Sequence, residues 1–178
     1  MFKTAIFFAT LACSAVGAQS AAPAHPATSP MQRVVRGQTI VSRTLPAATF
    51  VIDSSYRYVG GQVVNLYGNA DAEQHVFVAG GRSGPVERFV WIQFEHFLPS
   101  NNYRYDYKAD RTTEIGALSF IYDVKSWTDY TVTADDPRSD GAAVATLLGK
   151  QGLAFPKRAA RVRMFHLPTP DRRTELLL

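Results

Sequence analysis

The sequence predicts a β-rich α+β fold, a curved antiparallel sheet or partial barrel of about seven strands carrying one main helix near residues 137–150. Three observations carry that prediction. Apolar and polar residues alternate with period two through several short segments, turn-forming Gly, Pro and Asn clusters separate those segments, and a single stretch switches to helical period. Aromatic residues make up 12% of the 178, which suits a packed β-rich core rather than a disordered chain.

Residues 1–18 carry one cation, Lys3, an apolar run from Ala5 to Ala12, and small residues at Gly17 and Ala18. This is the composition of a secretory signal peptide, with cleavage expected after Ala18 and the mature chain secreted or periplasmic. The run falls short of the roughly 20 apolar residues that span a bilayer, and no later segment approaches that length, so no transmembrane segment is expected in the mature chain. Leu11-Ala12-Cys13 is also a fragment of a lipoprotein box, with Thr10 where a leucine is expected, and lipidation at Cys13 is the rival reading. Cys13 is the only cysteine. The mature chain therefore lacks the means for a disulfide framework, a thiolate nucleophile or a cysteine-ligated metal.

Cleavage after residue 18 leaves 160 residues, enough for one domain with a proper core. Without Lys3, 18 basic residues stand against 15 acidic ones, and a net charge of +3 is too mild for a nucleic-acid surface. Lys157, Arg158, Arg161, Arg163, Arg172 and Arg173 nevertheless crowd the C-terminal region against Asp171 and Glu175. An anionic envelope surface or acidic partner is one reading of that excess; solvated faces of a terminal strand and its loop are the simpler one.

Residues 19–32, rich in Ala, Pro and Ser, read as a flexible tether, with His25 an incidental passenger. The single globular domain is then expected over residues 33–178. Arg33 to Ser42 reads as a weak strand interrupted by Gly37, and Thr49 to Ser54 as a short one. Tyr56 to Val59 and Gln62 to Tyr67 flank Gly60-Gly61, a hairpin signal, since glycine accepts the positive φ of primed turns. No Gly-x-x-x-x-Gly-Lys or Gly-x-Gly-x-x-Gly context makes that pair a phosphate loop. A strand follows from Gln74 to Ala79, then a loop over Gly80 to Val86.

Glu87 to Pro99 is the densest apolar segment outside the N-terminus and reads as the central strand. Phe89, Trp91, Gln93, Glu95 and Phe97 share one face, and Val90, Ile92, Phe94, His96 and Leu98 the other. Tyr103, Tyr105 and Tyr107 alternate with Arg104, Asp106 and Lys108, the pattern of an antiparallel strand with one wet face, and are expected to pair with the central strand as a hairpin. Ile115 to Val124 and Trp127 to Thr133 read as two further strands. Pro137 and neighbouring acids open the helix, Val144, Leu147 and Leu148 form its apolar stripe, and Gly152 ends it. Arg158 to Leu167 is a late strand, and Thr174 to Leu178 is expected to dock as a strand or helical turn.

For chemistry, Glu95 and His96, with His75 and Asp106 nearby, offer an acid/base pair of the right groups. Adjacent strand residues point to opposite faces, so Glu95 and His96 share no pocket without a bulge. A structural Glu bonded to Tyr or Arg and a satisfied buried His is the competing reading. A metal would need His75, His96 and His166 to converge, but no His-x-His or His-Glu-x-x-His spacing supports it, and neither metal nor cofactor is expected. Ser83 has glycine neighbours but lacks the Gly-x-Ser-x-Gly form and a following helix.

The aromatic set around Trp91, Tyr103, Tyr105 and Tyr107, with Gln93 and Glu95, has the make-up of a small-ligand pocket or glycan platform, and also of cross-strand filling. The sequence thus favours an exported cell-envelope binding or interaction module whose partner is a small molecule, a glycan or an envelope protein. A small hydrolase or isomerase using Glu95 or His96 is the first alternative. A structural envelope protein without a small ligand is the second.

Overall fold

The computed structural model describes residues 29–108, 111–131 and 136–178. The expected signal peptide, Cys13 and His25 lie outside them. The chain forms β1 (Val34–Arg36), β2 (Thr39–Ser42), β3 (Ala48–Val51), β4 (Arg57–Leu66), β5 (Ala70–Ala79), β6 (Gly84–Pro85) and β7 (Arg88–Phe97). There follow β8 (Thr112–Ile115), β9 (Leu118–Trp127), α1 (Asp140–Gly149), β10 (Leu153–Ala154), β11 (Ala159–His166) and β12 (Thr174–Leu177). Seven strands build one sheet in the order β4-β5-β7-β12-β11-β9-β8, every neighbouring pair antiparallel. The sheet is open, not a closed barrel, with β4 and β8 at its edges. None of the helices among the described residues is long and apolar enough to cross a membrane.

Both faces of the sheet are covered. On one, Val144, Leu147 and Leu148 of α1 pack on Val76 and Val78 of β5, with Phe89 and Trp91 of β7 alongside. Ser139 caps this helix, its hydroxyl accepting from the Ala142 amide, and satisfies one of the donors a helix start leaves open. On the other face β1, β2 and β3 form a small antiparallel sheet. Its Ile40 is buried with Phe77, Ile92, Phe94, Phe120 and Leu176. Alternate residues of β5 and β7 therefore feed two separate cores, and all ten residues of β5 are buried.

Three expectations are corrected. Gly60-Gly61 is not a turn: β4 runs through it, paired with β5 throughout, with a bulge between Tyr58 and Gly60. Tyr103 to Lys108 form no strand, because β12 occupies that edge of β7 and the segment is carried across the sheet face, its Tyr105 amide donating to the Arg172 carbonyl. Lys125-Ser126 is not a break either, since β9 continues through both to Trp127. The apolar C-terminus docks as expected, and lands at the centre of the sheet.

Candidate functional site

On the α1 face, register places glutamines opposite one another: Gln62 of β4 faces Gln74 of β5, which faces Gln93 of β7. Gln62 Nε2 donates to Gln74 Oε1 at 2.9 Å, Gln74 Nε2 to Gln93 Oε1 at 2.8 Å, and Gln93 Nε2 to Glu95 Oε2 at 2.6 Å. Every amide thus turns its donor end toward Glu95, and a chain of aligned dipoles inside a protein polarises in concert. Tyr105 completes the carboxyl by donating its hydroxyl to Oε1 at 2.8 Å.

Directly across the β7–β12 ladder from Glu95 stands Glu175, whose Oε2 accepts the hydroxyl of Tyr107. The two carboxyls lie on one face under a row of rings. Phe97 stacks on Tyr105 at 4.4 Å, Tyr105 lies parallel to Tyr107, and Tyr107 stacks on Phe165 at 4.1 Å. Burial pushes Glu95 up to about 7; its two donors pull the other way and the Asp140 charge adds to the rise. Burial first and the facing Glu95 second push Glu175 up to about 8, with Arg163 opposing. Burial and the carboxyl charges also raise both tyrosine hydroxyls far above their ordinary value. The pair holds protons where an ordinary glutamate is ionised, so it can give or take a proton near neutrality. A cavity of about 320 Å³ borders it, lined by Tyr67, Tyr103, Asp140 and Arg163 among others.

The opposite face carries a second polar cluster. His75, fully buried, places Nε2 at 2.9 Å from Glu73 Oε1 and Nδ1 at 3.0 Å from the Tyr58 hydroxyl. A neutral imidazole with its hydrogen on Nε2 satisfies both contacts. Glu73 also accepts from the Gln32 and Arg33 amides at 2.8 Å and from the Arg33 guanidinium at 3.1 Å. Burial alone raises this carboxyl, but the His75, Gln32 and Arg33 hydrogen bonds together outweigh it and hold it at about 2. Arg33 lies over the Phe94 ring at 4.0 Å. These bonds tie the start of the domain to the sheet, and every polar end they use is spent.

His96, as alternation requires, is on the face away from Glu95, opposite Asp71 and Thr174. His166 binds the Ser119 carbonyl through Nδ1 at 2.9 Å. The three histidines do not converge, and among the described residues no group of three or more His, Cys, Asp or Glu is placed to hold a metal ion.

A larger cavity, about 820 Å³, lies elsewhere, between β7 and β11, with Phe50, Phe89, Trp91 and Phe120 in its wall. Two of its wall residues are distinctive. Trp91 Nε1 and Arg161 Nε are buried and, among the described residues, without a hydrogen-bond partner. Of the six residues with ligand-binding character in the sequence, Trp91 lines this cavity; Glu95, Tyr103, Tyr105 and Tyr107 line the smaller one. Gln93 is fully buried and spends both amide ends in the ladder.

Glu175, Gln62, Gln74 and Arg161 were missed by sequence reasoning. The signal for Glu175 was available, a lone acid in the apolar run Thr-Glu-Leu-Leu-Leu. The signal for the glutamines was not, because Gln62 follows a glycine pair and Gln74 stands in a polar run, and Arg161 was legible only as one member of the basic C-terminal region. No protein-family model, curated protein or solved structure matches the chain.

Proposed function

We propose that the protein is an exported binding module of the cell envelope that takes its ligand in the aromatic-walled cavity beside Trp91. The signal-peptide-like residues 1–18 support export. One observation carries the binding reading: two buried N–H donors, Trp91 Nε1 and Arg161 Nε, lack partners in the wall of the same 820 Å³ cavity. A buried donor left unmade costs about 1–3 kcal/mol, and apolar walls with a few convergent polar groups are what a ligand site presents. The ligand that answers both features has an apolar body and an acceptor, best an anionic one.

The test is thermal melting and tryptophan fluorescence of the protein against small apolar carboxylates, acidic peptides and glycans. Ligands of the proposed class raise the melting temperature by mass action. Trp91→Phe keeps an aromatic side chain in the wall, though a smaller one, loses the donor, and is expected to weaken them about fivefold to tenfold. A panel that shifts nothing, or a Trp91→Phe protein that binds as tightly as wild type, removes the reading.

An acid–base enzyme is the second reading, favoured by the facing carboxyls of Glu95 and Glu175 beside the smaller cavity. It assigns the proton transfer to that pair, not to Glu95 with His96. Hydrolysis or isomerisation abolished by Glu175→Gln, in a protein that still melts cooperatively, would establish it.

A further inference from the structure

The larger cavity does not lie on one face of the sheet; it lies in the sheet's plane. Glu87 to Ile92 and Ala159 to Met164 line it without a gap, and successive strand residues point to opposite faces. Only a cavity running along the strands' edges meets both sets. The register explains it. β12 pairs with β7 only over Gln93 to His96, and with β11 only at Phe165 and His166, Leu178 adding a reciprocal backbone pair with Met164. Beyond that point β7 keeps β5 on its far edge and β11 keeps β9. Their near edges, Arg88 to Ile92 and Ala159 to Arg163, face each other with no strand between them among the described residues.

Backbone alternation identifies the groups that face the slot. Phe97 donates toward β12, so Phe89 and Trp91, on the same alternate positions of an unbroken register, present N–H and C=O to this edge. Met164 exchanges both bonds with Leu178, so Val162 and Ala160 do the same from β11. A strand edge in this state is a template for another strand.

The slot's two sides differ in chemistry. Toward β3 it is apolar, with Phe50, Val90, Ile92, Phe120 and Met164. Toward α1 it holds the unpartnered Trp91 Nε1 and Arg161 Nε, with Arg163 beside them. Arg161 lies over the Trp127 ring at 5.9 Å, and burial, with Arg163 adding, lowers its pKa from the ordinary value. Arg163 is paired with Asp123, and Asp140 at the start of α1 also borders the cavity.

We infer that the slot between β7 and β11 receives an extended peptide as an added strand, antiparallel to both, whose alternate side chains are apolar toward β3 and acidic toward Trp91 and Arg161. This rests on the binding reading above and names the class of ligand. The backbone edges supply affinity and the alternating walls supply selection, as in other cases of strand addition. The acid meets the two donors, and an apolar residue sits between Val90 and Val162, the latter 52% exposed without it.

The experiment uses three synthetic peptides and one small molecule against the purified protein, followed by calorimetry and amide hydrogen exchange. The first peptide is acetyl-Val-Glu-Val-Glu-Val-amide; the second is the same chain N-methylated at its valines; the third has Lys for Glu; the small molecule is hexanoate. The expected result is binding of the first, weakened about tenfold or more by either change, with slowed exchange at the Phe89, Trp91, Ala160 and Val162 amides. If hexanoate and the N-methylated peptide bind as tightly as the first, the cavity takes a small acid: the strand is overturned and the binding reading stands. Binding accompanied by dimerisation assigns the slot to a second copy and overturns the peptide. No binding by any of the four, with the small carboxylate panel also silent, overturns both.

Discussion

Tyr105 shows how a single side chain is placed. It comes from a stretch with strand-like alternation, and that alternation survives from Arg104 on: Tyr105 is buried and Tyr107 half-buried between exposed Arg104, Asp106 and Lys108, while Tyr103 is 54% exposed. Its hydroxyl reaches Glu95, which burial has pushed up to about 7. Tyr105→Phe removes that donor and keeps the ring on Phe97. Urea unfolding should show a loss of about 1–2 kcal/mol at about pH 5, growing above about pH 7, where Glu95 ionises and the missing bond was charge-assisted. An equal loss at both pH values would mean that Tyr105 serves Glu95 only as filling. The tyrosine face and the polarity of Glu95 were legible because each is a local property. Glu175, 80 residues away along the chain, was not, because nothing local fixes which strand takes the free edge of β7.

Among the elements, β4 is the clearest departure from local expectation. Glycine pairs between β-prone runs mark turns, yet here they serve close approach. A Cβ on Gly61 would stand 2.6 Å from the Tyr58 hydroxyl and 2.7 Å from His75 Nδ1, so the strand needs glycine where the Tyr58–His75 bond crosses it. Gly61→Ala should cost about 1–3 kcal/mol in urea unfolding and, in NMR spectra, move the His75 ring resonances. An alanine tolerated without either effect would show that Tyr58 does not hold that position. The helix, by contrast, was legible in its buried stripe, although it starts at Asp140 behind the Ser139 cap and not at Pro137. Val144, Leu147 and Leu148 repeat with helical spacing and are its buried residues, because an amphipathic helix needs only its own stripe to declare a face.

Across the molecule, two sets of carboxyls act on stability in opposite directions. Glu73 is held at about 2 by its donors. The unfolded chain therefore binds the extra proton between about pH 2 and pH 4.5, and stability rises with pH there. Glu95 and Glu175 are pushed up to about 7 and about 8. The native state holds the extra protons from about pH 4.5 upward, so stability falls with rising pH until both have ionised. The melting temperature should peak near pH 4.5 to 5 and decline toward about pH 8. Glu95→Gln with Glu175→Gln should flatten the upper limb and leave the lower one. A melting temperature that climbs from about pH 5 to pH 8 in the wild type would contradict the burial of these groups.

The β-rich class, the one helix, the central strand and the separation of Glu95 from His96 follow from patterns of period two or 3.6 that any short segment carries in its own residues. The pairing of Glu95 with Glu175, the glutamine row leading to it, and the slot beyond Leu178 follow from strand order and register. Those depend on which remote segments bury each other's apolar faces and on shifts of a single residue that turn every side chain over. Seating β12 in the middle of the sheet brought two acids together under the tyrosines, and its pairing with β7 over Gln93 to His96 and with β11 at Phe165 and His166 leaves the remaining edges of those two strands facing each other among the described residues.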